Sequence, residues 1–371
     1  MAKLIAHTRK LNHDQKDWQT LQEHSRNVAK LCAATCESIG LKKLGLLTGW
    51  LHDMGKAPQD VQDHILGKMP QKLNHCSAGM YWLWEHRRKQ SFTDYVMAQM
   101  ACLAIGCHHS GRCDYIAPGG SEPWLDRMYS EQAAVRYNES IQAFFSDCCE
   151  ERDMLILIDQ TAEEFSALEE RVRKKIQAEY DPKTQNDAFW TTYRFQMGFI
   201  QRFLFGALVD ADWTDTSCYM NQTCFAQPIS LEERQKLWNQ LSEKTESYLK
   251  KLSHKYAIDE LRQEISDQCF SAAQKCVSGI YRLYVPTGGG KTYSGLRFCI
   301  EMARRHNASH IFYFAPYKSI TRQNADCIRK VLGSEFVLEH HSDVIFNEDD
   351  EDGRNQWIAL SQRWQDVPVI C

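Results

Sequence analysis

One short stretch of this 371-residue chain places a histidine beside an aspartate, at His52 and Asp53. Gly55 and Lys56 follow them directly along the chain. Imidazole nitrogens and carboxylate oxygens are ligands for transition metals, and one carboxylate can bridge two ions. A simpler interpretation is the end of a helix, with Gly55 as its cap and Lys56 near the negative end of the helix dipole. Partners elsewhere in the chain distinguish these two interpretations.

Further residues of ligand type follow in an ordered series, and nine of the fourteen histidines lie in the first 109 residues. His24 lies one predicted helix before the pair, and His75 lies one segment after it. His108 and His109 stand at a predicted helix end, and Asp212 lies in the later stretch VDADWTDT. Each group lies on or beside a different helix, as a site inside a helical bundle requires. The series therefore favours a metal site, for which Fe, Ni, Co, Mn or Zn would suit the imidazoles.

Such a ligand set predicts phosphoryl-transfer chemistry. Two divalent ions a few Å apart would activate water and stabilise both oxygens of an in-line displacement at phosphorus. Asp53 would bridge the ions, and Lys56 would neutralise the phosphate or its transition state. Asp210, two positions before Asp212, is an alternative last ligand. Residues two positions apart on a helix point about 200° apart, so we do not expect both to bind one ion. Four histidines that fit no motif are interpreted as surface residues: His7, His13, His64 and His86.

A second motif, VPTGGGKT at 285–292, lies between a predicted strand (281–286) and a predicted helix (291–306). Glycines let backbone N–H groups converge on a phosphate, while Lys291 would neutralise its β/γ charge and Thr292 would ligate Mg²⁺. Val285 stands where a strict phosphate loop has glycine, a position that superfamily 2 helicases commonly relax. The residues predicted to bind ATP and its Mg²⁺ are Thr287, Gly288, Gly289, Gly290, Lys291 and Thr292.

The elements that must position these residues follow from periodicity. Helical patterns extend over 20–39, 41–53, 74–88, 94–107, 131–149, 151–180 and 189–213. We therefore expect an all-α domain over residues 1–228 and a linker helix within 229–255. A further helix from 258 to 277, the strand 281–286 and a second strand at 310–316 predict the incomplete first part of an α/β domain over 256–371.

Composition restricts the protein class. Net charge is −4, so no global basic field draws the chain to nucleic acid, although a local basic groove remains compatible with DNA. No apolar run reaches the length of a membrane span and no signal peptide is evident, so we expect a cytoplasmic protein without a membrane partner. The fifteen cysteines include no Cys-x-x-Cys pair, and most are interpreted as reduced, buried residues.

Taken together, the motifs resemble the CRISPR-associated nuclease–helicase of type I systems, in which an HD nuclease precedes a superfamily 2 helicase. The pieces that carry the resemblance are EHSRNVA (23–29), LHDMGK (51–56), HCSAG (75–79), HHSG (108–111), ADW (211–213), VPTGGGKT, APYKSITRQNA (315–325) and VLEHHSD (337–343). LVDADWTDT adds a hint of subtype I-C. They span nearly the whole chain in the family's order.

The resemblance implies an all-α HD domain followed by the start of a RecA-like helicase domain. It implies two transition ions (Fe, Ni, Co or Mn) on the ligands His24, His52, Asp53, His75, His108, His109 and Asp212. It also implies cleavage of single-stranded DNA, ATP-driven 3′-to-5′ translocation and recruitment by the RNA-guided complex Cascade, with phage anti-CRISPR proteins as further partners. The chain contains no DEAH-type box and no second RecA domain, so we expect this piece to have nuclease but not helicase activity. Gln268 is a candidate for adenine recognition.

Two alternatives to the nuclease stay open at this point. The first is an HD-type phosphohydrolase that acts on nucleotides, which shares the metal ligands and would carry the phosphate loop as an appended module. The second is a non-enzymatic DNA- or partner-binding module with a vestigial metal site. Comparing cleavage of single-stranded DNA with hydrolysis of nucleotides separates the nuclease from the phosphohydrolase, and an absence of bound transition metal would favour the binding module.

Overall fold

The computed structural model describes residues 3–8, 17–70, 75–111, 113–130, 136–222, 229–252, 255–340 and 367–371. The chain divides into two compact units, Met1–Cys224 and Phe225–Cys371. His13 and the end of the VLEHHSD motif, from His341 onwards, lie outside the described residues. None of the described helices is both long and apolar enough to cross a membrane.

The first unit is helical apart from a short antiparallel pair, β1 (Ile5–His7) and β2 (Gln19–Thr20). Its helices are α1 (Leu21–Glu37), α2 (Lys42–Leu51), α3 (Gln59–Ile65), α4 (Ser77–Arg87), α5 (Phe92–Cys107), α6 (Pro123–Met128), α7 (Tyr137–Asp147), α8 (Glu151–Gln177) and α9 (Asn186–Asn221). A short 3₁₀-helix, Met54–Lys56, follows α2. The helical content predicted for this part of the chain is confirmed.

Helix α1 shows why these residues become helices. The Thr20 hydroxyl caps its start by accepting from the Glu23 backbone N–H at 3.2 Å, which satisfies one of the unpaired donors of the first turn. Val28 and Cys32 recur at helical spacing and are fully buried. Where α1 meets α2, a side chain at Gly49 would overlap the backbone of Ala29, so the two helices approach closely. Each buried leucine on α2 contributes about 1.5–3 kcal/mol.

The second unit contains a three-stranded parallel sheet of β3 (Ile311–Phe312), β4 (Val337–Leu338) and β5 (Val369–Ile370). In this sheet β5 lies between β3 and β4. Its helices are α10 (Leu231–Leu249), α11 (Ala257–Ala273), α12 (Lys291–His306) and α13 (Lys318–Leu332). The predicted linker helix corresponds to α10, which contributes Trp238 and Leu241 to the core of this unit.

Two local features hold the second unit's helices. Ser230 and Glu233 form a capping box at the start of α10. The buried guanidinium of Arg297, on α12, makes a bidentate contact with Glu246 of α10 at 2.6 and 2.7 Å. It also donates to Asp267 of α11 at 2.7 Å. One arginine therefore ties three helices together, because its fork can satisfy two carboxylates at once.

The strand predicted over 281–286 is not formed, and the one predicted over 310–316 is reduced to Ile311–Phe312. Among the described residues no strand pairs with 281–286, and the side chain of Tyr284 is 81 % exposed. A β-type pattern specifies a strand only where a neighbouring backbone and a covering layer are present. The sequence pattern alone could not supply that neighbour.

Candidate metal centre and phosphate loop

His24 lies on α1 with its ring fully buried. Its Nδ1 lies 2.7 Å from an oxygen of Asp215, and its Nε2 points toward Asp53 and Asp212 at 3.3 and 3.2 Å. A carboxylate behind one ring nitrogen fixes the orientation of the ring and raises the basicity of the other nitrogen. His24 is thus held as a metal-ligating histidine is held.

His52 and His108 are oriented by backbone carbonyls at the ends of their helices. His52 Nδ1 lies 2.8 Å from the carbonyl oxygen of Gly49, and His108 Nδ1 lies 2.6 Å from that of Ile105. A carbonyl only accepts, so both rings must donate from Nδ1, which leaves Nε2 to face the cluster. His52 Nε2 lies 3.3 Å from His24 Nε2.

Asp53 is the centre of the arrangement and is fully buried. Its Oδ2 faces His24 and His52, each at 3.3 Å. Its Oδ1 faces the other side, 3.6 Å from His108 Nε2 and 3.8 Å from His75 Nε2. The two oxygens of one carboxylate therefore serve two different groups of histidines.

Helix α9 supplies two further carboxylates, Asp212 and Asp215, which lie one turn apart. Asp212 is buried and points its Oδ1 at His24, whereas Asp210 is exposed. Asp215 lies on the same face of the helix as Asp212, because three residues advance about 300°. Besides His24, Asp215 accepts from Gln19 at 2.7 Å and Asn27 at 2.8 Å. The sequence prediction missed Asp215, although its spacing of three from Asp212 was a usable signal.

A second group of ligand type adjoins the first. His75, Cys76, His108 and His109 bring one ligand atom each within 4.8 Å of one another, as do His24, His52, Asp53 and Asp212. His75 Nε2 and His109 Nε2 lie 3.0 Å apart. Burial raises the pKa of the Cys76 thiol to about 12. All seven residues predicted as metal ligands therefore belong to these two groups, and Cys76 is an addition that the sequence prediction did not include.

The simpler interpretation of Gly55 and Lys56, a helix cap with a cation at the dipole, does not describe the structure. Gly55 lies inside the 3₁₀-helix, without a positive φ, where a side chain would overlap the backbone of His75. Lys56 is buried and its Nζ lies 2.7 Å from Asp53 Oδ2. The glycine is there for close packing, and the lysine pairs with the central carboxylate.

His7 is not a surface residue as predicted. It is half-buried, its ring packs edge-on against His24 with centroids 4.7 Å apart, and Thr216 lies within hydrogen-bond distance of its Nε2. Strand pairing of β1 with β2 brings it there, which periodicity could not show. His86 is exposed and His64 half-buried, and each contacts a nearby backbone carbonyl.

Electrostatics in the first group reflect crowding of carboxylates around imidazoles. Burial works to lower the pKa of His24, but hydrogen bonds to Asp212, Asp215 and Asp53 outweigh it and raise the pKa to about 10. Burial is opposed in the same way at His52, where Asp53 and Asp212 raise the pKa to about 9. The pKa of Asp53 is held well below its usual range, since Lys56 and His52 outweigh its burial.

The residues fit a metal-binding role. Asp53 Oδ1 and His108 Nε2 are buried and have no hydrogen-bond partner among the described residues. An unpaired buried carboxylate oxygen costs free energy unless a cation or donor satisfies it. Ligand atoms about 2.0–2.2 Å from one ion lie about 3–3.5 Å apart, and the contacts from His24 fall in this range. Bound cations would displace the protons that the carboxylates now stabilise on the imidazoles.

The phosphate-loop residues lie around a separate cavity of about 640 Å³ inside the second unit. Gly288 and Gly290 both adopt φ of +83°, and Gly290 is the N-cap of α12. Lys291 is exposed, and Thr292 Oγ1 lies 3.4 Å from Asn324. The predicted residues that line the cavity are Thr287, Gly288, Gly290, Lys291 and Thr292, whereas Gly289 is buried beneath the turn.

Gln268 does not line this cavity; its side chain donates to Glu264. Gln263, one turn earlier on α11, lines the cavity together with Arg262, whose Nε donates to the Gly288 carbonyl at 2.8 Å. Periodicity placed the start of α11 within one residue and its end four residues too late. Which glutamine faces the loop depends on how α11 packs beside α12.

No family model matches the sequence. The structure is similar to the crystal structure of T. fusca Cas3, at 14 % identity and a TM-score of 0.41, covering 99 % of this chain and 43 % of that one. The Cas3–ATP structure gives 15 % identity, a TM-score of 0.41 and coverage of 100 % and 43 %. Cas3–AMPPNP gives 14 %, 0.40, and coverage of 94 % and 40 %. The chain thus spans about two-fifths of the length of these structures.

Proposed function

We propose that the first unit is a metal-dependent HD nuclease that cleaves single-stranded DNA, and that the second unit begins an ATP-dependent helicase motor. The observation that carries the nuclease proposal is the position of Asp53. Its two oxygens face two separate groups of histidines, at 3.3 Å on one side and 3.6–3.8 Å on the other. A buried carboxylate with this arrangement is what a bridging ligand requires.

His24, His52 and Asp212 would hold one divalent ion and His75, His108 and His109 the other, with Asp53 between them. When bound, Fe, Ni, Co or Mn would supply an activated water and positive charge for the phosphate oxygens. Asp215 keeps the His24 ring oriented, with its Nε2 toward the cluster. Because the carbonyls of Gly49 and Ile105 fix two further rings, the ligands are preorganised.

Lys56 has two roles in this proposal. Its ion pair with Asp53 fixes the carboxylate, and its ammonium group places a positive charge at the cluster edge. A scissile phosphate would bring negative charge that grows in the transition state, which a fixed cation stabilises. Its contact with Asp53 is present without substrate, so its positioning role does not depend on DNA.

The second unit would bind ATP through its phosphate loop. Gly288 and Gly290 turn the chain, so the N–H groups at the start of α12 would face the phosphates. Lys291 would contact the β- and γ-phosphates, and Thr292 would hold Mg²⁺. The segment APYKSITRQNA (315–325) resembles the motif with which the CRISPR-associated nuclease–helicase family contacts single-stranded DNA. Tyr317 within it and Phe314 directly before it are 67 % and 89 % exposed. Exposed rings of this kind can stack on unpaired bases.

In this proposal residues 1–228 form the nuclease domain, 229–255 contain the connecting helix and 256–371 begin the first RecA-like domain. The protein would act in the cytoplasm during type I CRISPR interference. Cascade would present the single-stranded DNA, and phage anti-CRISPR proteins would be its inhibitors. These partners follow from the motif resemblance.

A phosphohydrolase acting on free nucleotides is the second candidate, since its metal ligands would be the same. The phosphate loop and the exposed rings of Phe314 and Tyr317 favour DNA, because a nucleotide hydrolase needs neither. Metal-loaded protein assayed on single-stranded DNA, on deoxynucleoside triphosphates and on cyclic nucleotides separates the two.

The decisive variant is Asp53→Ala. We expect it to lose at least about 100-fold in single-stranded DNA cleavage and to retain less metal after desalting, because both ions share this ligand. Asp210→Ala, which removes an exposed carboxylate, is the matched control and should keep both. Circular dichroism reports whether the variant folds. Full cleavage by Asp53→Ala, or metal-loaded wild type that cuts only nucleotides, would overturn the proposal.

A further inference from the structure

Cys76 lies inside the second ligand group and belongs to no predicted site. It follows His75 directly, and its sulfur lies within 4.8 Å of the ligand nitrogens of His75, His108 and His109. The residue is buried, at 8 % exposure. The group thus offers three imidazoles and one sulfur around a single point.

The neighbouring residues aim this group inward. His108 Nε2 is buried with no hydrogen-bond partner among the described residues, while its Nδ1 bonds to the Ile105 carbonyl. Gly55 lets the chain pass directly against the backbone of His75, which holds the His75–Cys76 turn at the start of α4. Three nitrogens and one sulfur, beside the shared Asp53 carboxylate, form a ligand set of the kind that Zn²⁺ and similar transition ions accept.

We propose that Cys76 supplies a thiolate to the ion that His75, His108 and His109 hold, so that this position selects soft transition ions over Mg²⁺ and Ca²⁺. The inference rests on the proposed two-ion function and adds one ligand to it. On binding, the sulfur–hydrogen bond breaks, the sulfur–metal bond forms and the proton leaves to solvent. Thiolate is a soft ligand, whereas carboxylate and water suit the harder ions.

Cobalt(II) is the probe, because thiolate ligation gives a sulfur-to-cobalt charge-transfer band in the near ultraviolet that nitrogen and oxygen ligands do not give. The 371-residue chain is loaded with Co²⁺ under a non-thiol reductant, and its metal content is measured alongside the spectrum. We expect the band in wild type, its loss in Cys76→Ser, and about 10-fold or greater weakening of Co²⁺ binding at that position.

Cys107→Ser is the matched control. Cys107 is buried and precedes His108, but its sulfur lies 3.0 Å from that of Cys113 and is outside the ligand group. We expect this variant to keep the band. A band that Cys76→Ser keeps, or that both variants lose equally, overturns the assignment of the sulfur to Cys76.

The wild-type spectrum decides even if the variant does not fold. Co²⁺ bound without a thiolate band overturns the Cys76 proposal and leaves the two-ion nuclease intact. Failure of wild type to bind Co²⁺ overturns both, so the two failures are distinguishable. Loss of the band in Cys76→Ser that still binds Co²⁺ at its remaining histidines supports the proposal.

Discussion

The two candidate sites of this chain are built in opposite ways. The metal centre collects residues from α1, the α2 end, the α4 start, the α5 end and α9, and His24 lies 188 positions from Asp212 in sequence. The phosphate loop is a run of eight consecutive residues at the start of α12. The core of the first site is buried, whereas Thr287, Gly288 and Lys291 of the second are exposed.

Glycine illustrates what this difference means. At Gly55 and Gly79 the missing side chain lets one element lie against the backbone of another, at His75 and Leu51. At Gly288 no described residue other than its chain neighbours lies within 4 Å of the point that a Cβ atom would occupy, and the requirement is the positive φ. A site made by packing depends on the spaces between elements, while a loop site depends on its own dihedral angles.

The largest effect should come from Gly55→Ala. The new methyl group would overlap His75 backbone atoms, which cannot move away by changing rotamer. We expect destabilisation near the upper end of about 1–3 kcal/mol, together with weaker metal binding as His75 shifts. Urea denaturation followed by circular dichroism measures the first effect and cobalt titration the second. Gly206→Ala, in an open position on α9, is the control and should be neutral or stabilising. Unchanged stability and metal binding in Gly55→Ala would contradict a packing role for Gly55.

Lys291→Ala tests the predicted phosphate loop, the second of the two candidate sites. The side chain is exposed, so folding and metal content should not change. ATP binding should weaken about 10- to 100-fold, because a charged hydrogen bond to phosphate contributes about 1.5–3 kcal/mol. Titration with a fluorescent ATP analogue measures this. Lys330→Ala, which removes an exposed lysine that does not line the cavity, should bind as wild type does. Equal affinity in both variants would remove the phosphate-binding role of Lys291.

Asp215→Asn tests whether Asp215 supports the candidate metal centre through His24. The variant keeps a hydrogen-bonding side chain but removes the charge behind His24 Nδ1. Metal affinity should fall about 10- to 100-fold with little change in fold. Equilibrium dialysis against Co²⁺ gives the affinity. Asp210→Asn, on the exposed side of the same helix, should bind normally. Equal Co²⁺ affinity in the two asparagine variants would contradict the supporting role of Asp215.

The smallest effect should come from Gly288→Ala. There is space for the methyl group, so the cost is the positive φ alone, about 1–2 kcal/mol. We expect a small decrease in the urea midpoint and weaker ATP binding, with metal binding untouched. The contrast with Gly55→Ala is the point of the measurement. A larger loss of stability here than at Gly55 would reverse the proposed assignment of the two glycines.

Much of the fold could be predicted from the sequence, because helix periodicity and capping are local properties. The capping box at Ser230 and Glu233 and the span of α12 were correct from residue pattern alone. The strand at 281–286 was not, since a strand needs a partner that the local pattern does not contain. Local signals therefore located the helices better than the sheet.

The residue types and the order of the candidate ligands can be read from the sequence. The same is true of the predicted phosphate loop, since its run of three glycines before Lys291 and Thr292 favours a turn. The sequence also restricted the choice between Asp210 and Asp212 to one, because helix geometry turns them apart. Only the tertiary structure decided that Asp212 faces the histidines, that Asp215 supports His24 and that Cys76 joins His75. Those contacts join residues distant along the chain, and only the packing of the helices brings them within reach of one another.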